Sequence, residues 1–101
     1  MNMPERFSID MFSDCVNTKF VVHYGDSQTA NLELVSVTDV GSSARQVQFS
    51  LVFVGRINGA IEQRIYRLEH EKLGQLDLFL VPIGMDKNGV QYEAICNYVI
   101  E

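Results

Sequence analysis

The chain has 101 residues and a mass of 11.4 kDa, the size of a single domain. Hydrophobic residues make up 47% of it and charged residues 21%, which excludes a disordered chain, and no apolar run approaches the roughly 18 residues that a membrane-spanning helix requires. The net charge of −5 is unfavourable for binding a phosphate backbone. We therefore expect one folded domain over residues 1–101, with neither nucleic acid nor a membrane as a partner.

The predicted elements begin with a short helix. Ser8 can cap a helical turn over residues 8–14, in which Ile9 and Phe12 share a face. After this turn, apolar and polar residues alternate with the period of two that is typical of β-strands. Six strands are predicted, at residues 18–24, 29–40, 46–56, 61–69, 75–85 and 90–99.

The second predicted strand changes phase in its middle. Leu32 and Leu34 share one face, whereas Val35 and Val37 share the opposite face. An extra residue near Leu34 and Val35 would return both pairs to the core, so we predict a β-bulge there. In the fifth strand, Pro82 cannot donate a hydrogen bond to a ladder and predicts a bend.

Turn signals connect the strands. Gly25-Asp26, Asn58-Gly59 and Asn88-Gly89 predict three consecutive hairpins, and Gly74 is suited to a left-handed position after a short turn at residues 69–74. The absence of a long helical pattern between strands excludes βαβ units. The predicted fold is all-β: a six-stranded antiparallel meander that closes into a small barrel or barrel-like sandwich, with one short N-terminal helix.

Two strands carry apolar residues on both faces. The inward faces predict a core centred on Phe49, Leu51, Phe53, Leu78, Leu80, Tyr92 and Ala94. The opposite faces carry Val52, Val54, Phe79 and Val81, which would form a sticky patch if water reached them. We expect the N-terminal segment, with Phe7, Ile9, Met11 and Phe12, to cover one stripe, and a partner surface to cover the other.

Charge is distributed unevenly along the chain. Residues 45–68 contain four basic residues, Arg45, Arg56, Arg64 and Arg67, and only one acidic residue, Glu62. A solvated surface is the ordinary explanation of such a cluster. The functional explanation is a basic region that docks an acidic surface, including that of a second copy of the protein.

His70 is the residue with the clearest chemical potential, because it lies between Glu69 and Glu71 at a predicted turn. It could act as a base or ligand, but the more ordinary role is structural: with Gly74 it would hold the corner by donating a hydrogen bond to a turn carbonyl. The carboxylates of Asp77 and Glu93 could lie close together across two strands. We predict no catalytic residue, no metal site and no cofactor.

The two cysteines, Cys15 and Cys96, are far apart in the sequence and too few for a disulfide-rich secreted scaffold. The first residues lack the apolar core of a signal peptide. We therefore expect reduced cysteines and a cytoplasmic protein.

Residues 68–97 contain a series of short motifs. They are Leu68-Glu69-His70, Gly74, residues 78–84 (Leu-Phe-Leu-Val-Pro-Ile-Gly), Gly89 and Tyr92-Glu93-Ala94. This pattern resembles that of a small bacterial domain family of unknown function. The resemblance implies no activity; it implies an accessory or structural role near a phage-tail-like assembly.

Three classes of function remain open. The first is a structural or protein-interaction domain. The second is a module that binds a small apolar ligand in the mouth of a barrel, which requires an internal cavity. The third is an enzyme, which requires His70 to lie in a cleft beside Asp77 or Glu93.

Overall fold

We describe residues 8–55 and 61–99 of a computed structural model of the chain. It confirms the predicted fold class: six antiparallel strands form a closed ring, accompanied by one short helix. The elements are α1 (Ile9–Ser13), β1 (Lys19–Gly25), β2 (Gln28–Asp39), β3 (Gln46–Gly55), β4 (Arg64–His70), β5 (Gly74–Asp86) and β6 (Gly89–Val99).

The order of strands around the ring departs from a simple meander. It is β1-β2-β3-β6-β5-β4, and β4 pairs with β1 to complete the ring. Two of the predicted hairpins, β1–β2 and β5–β6, are confirmed. The predicted hairpin between the third and fourth strands is wrong, because β3 pairs with β2 and β6 instead. The Asn58-Gly59 turn on which that hairpin depended lies outside the described residues.

Pairing between β3 and β6 explains this order. The two strands pair without interruption from Gln46↔Val99 to Gly55↔Val90. This register places the large inward side chains of β3 beside those of β6, as in the pair Phe53↔Tyr92, and it places Leu51 opposite the small Ala94. A local turn signal carries no information about such long-range complementarity.

The two longest strands each pair with different neighbours along their length. The first half of β2 pairs with β1 and its second half with β3, whereas β5 pairs with β4 up to Leu80 and with β6 from Val81 onward. The register shifts between Leu34 and Ser36, which confirms the predicted bulge, and again between Pro82 and Gly84, where a bend was predicted. Long strands that bend at bulges allow a small sheet to close on itself.

The interior of the ring is filled with side chains. The predicted core centre is confirmed except that Leu78 is only half-buried. Inside the bulge, Leu34 is fully buried and Val37 packs against the core, whereas Val35 is the extra residue and remains exposed. The prediction that the bulge brings both pairs to the core is therefore correct for Leu32, Leu34 and Val37, and wrong for Val35.

The helix α1 closes one end of the ring instead of covering its outside. Ser8 caps it, as predicted, by accepting a hydrogen bond from the Met11 amide. Phe12 is 1% exposed, and its ring centroid lies 5.7 Å from that of the inward-facing Phe49. Met11 stays exposed. The expectation that these residues lie across the outer apolar stripe is wrong, because the interior offered Phe12 complete burial; Phe7 lies outside the described residues.

Candidate functional site

The outer side of β4 and β5 carries a cross-strand row of exposed apolar side chains. Ile65 pairs directly with Phe79, and these side chains are 66% and 49% exposed. Two residues further along β5, Val81 is half-buried on the same side of the sheet. We call the outward residues Ile65, Arg67, Asp77, Phe79 and Val81 the β4–β5 face.

The β4–β5 face continues onto β6 and β3. Glu93 pairs with Val81 on one side and with Val52 on the other, so these two half-buried valines flank one carboxylate. The Ser50 hydroxyl donates a hydrogen bond of 2.9 Å to Glu93 Oε2. Ile95, two residues beyond Glu93, is 54% exposed. The apolar surface therefore extends past β5 around a carboxylate that already has a hydrogen-bond partner.

The predicted proximity of Asp77 and Glu93 is wrong. Asp77 pairs with Arg67 on β4, whereas Glu93 pairs with Val81 on β5. Positions 77 and 81 are four residues apart along β5, which corresponds to roughly 13 Å. The two carboxylates therefore have different partners and are not cross-strand neighbours.

The predicted interaction residues occupy several places. Arg67 lies outward between His23 on β1 and Asp77 on β5. Arg64, at the start of β4, donates a hydrogen bond of 3.4 Å to the Tyr24 carbonyl, and its guanidinium carbon lies 4.9 Å from the centroid of the Tyr66 ring.

The other predicted interaction residues lie elsewhere. Arg45 is in the loop between β2 and β3, and Arg56 is outside the described residues. Val54 is half-buried on β3, in register with Gln91. The structure thus brings two of the four arginines to the strand that carries Ile65.

His70 ties three parts of the chain together. Its Nδ1 accepts hydrogen bonds from the backbone amides of Lys72 at 3.0 Å and Leu73 at 3.3 Å. The proton of the neutral ring is therefore on Nε2, which donates to Thr18 Oγ1 at 2.8 Å. The Thr18 hydroxyl in turn donates to the Cys15 carbonyl at 2.5 Å. This network joins the β4–β5 turn to the start of β1 and to the segment after α1.

The geometry gives His70 the predicted position at the strand corner but reverses the predicted direction of its hydrogen bond. It accepts from turn amides instead of donating to a turn carbonyl. Gly74 follows at φ 74°, the left-handed conformation that was predicted for it. The side chain of His70 is 8% exposed and its ring centroid is 4.4 Å from that of Phe20.

Burial lowers the pKa of His70 below its usual value. Because the unfolded chain then binds more protons than the folded chain, stability should fall as the pH drops below about 6.5 and be fully present above it. Replacing His70 with glutamine should lower the free energy of unfolding by about 1–2 kcal/mol at pH 7.5 and remove most of this pH dependence. Urea unfolding at pH 7.5 and pH 5.5 measures both effects.

The matched control for this prediction is His23→Gln, because His23 hydrogen-bonds the half-buried Glu69 and takes no part in the His70 network. This variant should keep a loss of stability in mild acid that His70→Gln lacks. Equal pH dependence in His70→Gln and in the unaltered chain would show that protonation of His70 does not disturb the corner.

An open groove of about 490 Å³ lies beside His70. The enzyme hypothesis required Asp77 or Glu93 next to His70, and neither carboxylate lines this groove. Its charged lining residues include Glu69, whose pKa is lowered chiefly by its hydrogen bond to His23. The lining consists of Thr18, Lys19, Val21, Glu69, His70, Glu71 and Lys72.

Both cysteines are free, and both thiols are held in their neutral form. Burial raises the pKa of Cys15 and raises that of Cys96 to about 11. Cys15 meets the His70 network through its backbone carbonyl. A neutral, buried thiol is a weak nucleophile, so this arrangement does not activate a Cys–His pair.

A second open groove, of about 650 Å³, lies on the outside of β1, β2 and β3. Lys19 and Glu33 pair across β1 and β2 within it, and Asn31 adds a carboxamide. In residues 8–55 and 61–99, no three His, Cys, Asp or Glu side chains come together to hold a metal ion. The helix in the same part of the chain is too short to cross a membrane.

The fold and its outer face define the class: a small all-β domain with a filled closed ring and an exposed apolar face on two adjacent strands. Residues 7–96 match the model of the domain of unknown function DUF6916, and the chain belongs to that family. No curated protein and no solved structure matches the sequence.

Proposed function

We propose that the chain is a non-enzymatic structural or protein-interaction domain that binds its partner through the β4–β5 face. The observation that carries this proposal is the exposed pair of Ile65 and Phe79 on the outside of a ring whose interior is already filled. Large apolar side chains in contiguous contact with water mark interaction surfaces in single-domain proteins.

The charges around this pair indicate the chemistry of the partner. Arg67 lies two residues beyond Ile65 on the same side of β4, and Asp77 lies across from Arg67 on β5. The face would be complemented by a partner surface that is apolar at its centre. That surface would place an acidic group opposite Arg67 and a basic group opposite Asp77.

The proposal includes a biological setting. An accessory role in a phage-tail-like assembly is what the sequence resemblance implies, and a stable β-ring with an external docking surface is compatible with it. The cytoplasm is the proposed compartment, and it is supported by two free thiols at buried or half-buried positions.

The alternative function, a small ligand held in the mouth of a barrel, has less support. Phe20, Phe49, Phe53 and Tyr92 are all 0% exposed and occupy the interior that a ligand would need. Phe12 fills the space beside Phe49 at one end. A ligand would have to displace these side chains and give up the contacts between them.

The test of the proposed function is the binding of an apolar fluorescent dye, 8-anilinonaphthalene-1-sulfonate, to the chain at low micromolar concentration. Replacing Phe79 with serine should reduce dye fluorescence by about half or more, while stability should change by only about 0.5 kcal/mol because the side chain is outward. Val40→Ser is the matched control, since Val40 is 48% exposed and lies outside the face. Dye binding that is insensitive to Phe79→Ser would overturn the proposal.

A further inference from the structure

We propose that the occupant of the β4–β5 face is the same face of a second copy of this chain. The inference rests on the proposed function and adds the identity of the partner. The two copies pack face to face and are related by a two-fold axis. This axis lies in the interface, parallel to the strands, and passes over the line midway between β4 and β5.

The register of β4 and β5 makes the face complementary to itself. Ile65 pairs with Phe79 and Arg67 pairs with Asp77, and all four side chains point outward. A two-fold axis between the strands places each β4 residue over the β5 residue of the partner in the same row. Arg67 of one copy then faces Asp77 of the other, twice, and Ile65 faces Phe79, also twice.

The next row follows the same rule. Glu69 pairs with Gln75, so the axis would bring a carboxylate against a carboxamide that can donate a hydrogen bond to it. Two sheet faces that pack in the aligned manner keep their strands within about 30° of each other. At the centre of the contact, each β4 residue of one copy therefore stays opposite the β5 residue of the other copy in the same row.

Charge supports a self-contact at this place. Each chain has a net charge of −5, so two copies repel each other in general. The face presents the cation of Arg67 where the partner's Asp77 arrives, and Asp77 where the partner's Arg67 arrives. The face therefore combines the apolar area of Ile65 and Phe79 with one opposite-charge contact on each side of the axis.

The size of the contact predicts that the dimer is weak. A face of two strands buries less than the ~800 Å² per partner of a standard interface. We expect a monomer at low micromolar concentration, with the average mass rising toward that of a dimer between about 10 µM and 1 mM. Sedimentation equilibrium over this range measures the association directly.

Charge reversal and mixing provide the decisive experiment. In a dimer of Arg67→Asp, an acidic residue at position 67 faces Asp77 of the other copy at both contacts. In a dimer of Asp77→Arg, Arg67 faces a basic residue at position 77. Each variant should therefore associate at least about tenfold more weakly than the unaltered chain. An equimolar mixture of the two variants restores an opposite charge at both contacts. We expect the mixture to associate nearly as strongly as the unaltered chain.

The mixture separates a contact between copies from damage within one copy. Each variant places like charges opposite each other inside its own sheet, and mixing does not change that intramolecular pair. Phe79→Ser is the second variant, because it leaves the charges in place and should also weaken association, whereas Val40→Ser should not.

The inference would be overturned by an unaltered chain that stays monomeric at about 1 mM. It would equally be overturned if the mixture associated no better than its components, or if the single variants associated like the unaltered chain. If the chain stays monomeric while Phe79→Ser still reduces dye binding, only the identity of the partner is wrong. If dye binding is also insensitive to Phe79→Ser, the proposed function is wrong as well.

Discussion

Replacing Phe53 with alanine should lower the free energy of unfolding by about 3–5 kcal/mol, a large share of the stability of a small domain. Phe53 is 0% exposed and lies between Leu34 on β2 and Tyr92 on β6. Its ring makes an edge-to-face contact with Phe20, with centroids 5.2 Å apart and an interplanar angle of 79°. Truncation leaves a cavity at the point where three strands and a second ring meet.

Urea denaturation at neutral pH measures this loss. Phe79→Ala is the matched control, because it removes the same atoms from a side chain that points outward on β5. The control should change stability by about 0.5 kcal/mol or less. Equal losses of unfolding free energy in Phe53→Ala and Phe79→Ala would mean that Phe53 does not face the interior of the ring while Phe79 faces its outside.

Replacing Phe12 with alanine should cost about 3 kcal/mol, even though Phe12 belongs to a helix of five residues. A helix this short is stable only through its packing, and Phe12 supplies its contact with Phe49. The loss should stay at the low end of the range for such changes, because α1 can detach without unfolding the ring. The hydrogen bond from the Asn17 amide to the Leu34 carbonyl should also open more often.

Urea denaturation and hydrogen exchange at the Asn17 amide measure these two effects. Met11→Ala is the control, because Met11 is 38% exposed and belongs to the same helical turn. If Phe12→Ala changes stability and exchange no more than Met11→Ala does, α1 does not close the end of the ring.

The strands were predictable from the sequence because a local alternation of apolar and polar residues indicates each one. The alternation of Phe49, Leu51 and Phe53 shows which residues of β3 face inward, and the phase change at Leu34 and Val35 places the bulge. The neighbour of β3 was not predictable. It depends on the fit between β3 and β6, which are separated in sequence by two other strands.

The candidate face was only partly predictable for the same reason. Phe79 and Val81 stand out because β5 is apolar on both sides, whereas Ile65 is a single apolar residue between arginines and a tyrosine. Only the β4–β5 register makes Ile65 the neighbour of Phe79. The outward phase of β6 could have identified Ile95, since it alternates with the inward Ala94 and Tyr92.

The position of His70 at a turn could be predicted from the sequence, whereas its hydrogen bonds could not. Its neighbours predict a turn, and the turn is confirmed by Gly74 in the left-handed conformation. The acceptor role of Nδ1 could not be inferred, because it requires the amides of residues 72 and 73 to point at the ring. The contact with Thr18 crosses 52 positions of sequence.

The central claim is that two copies of this domain contact each other through the outer face of β4 and β5. The most direct test is a map of backbone amide resonances, by nuclear magnetic resonance, as the concentration of the chain is raised. We expect shifts centred on Ile65, Arg67, Asp77 and Phe79, and none in the groove around Glu33. Shifts centred on that groove, or no shifts at any concentration, would contradict it.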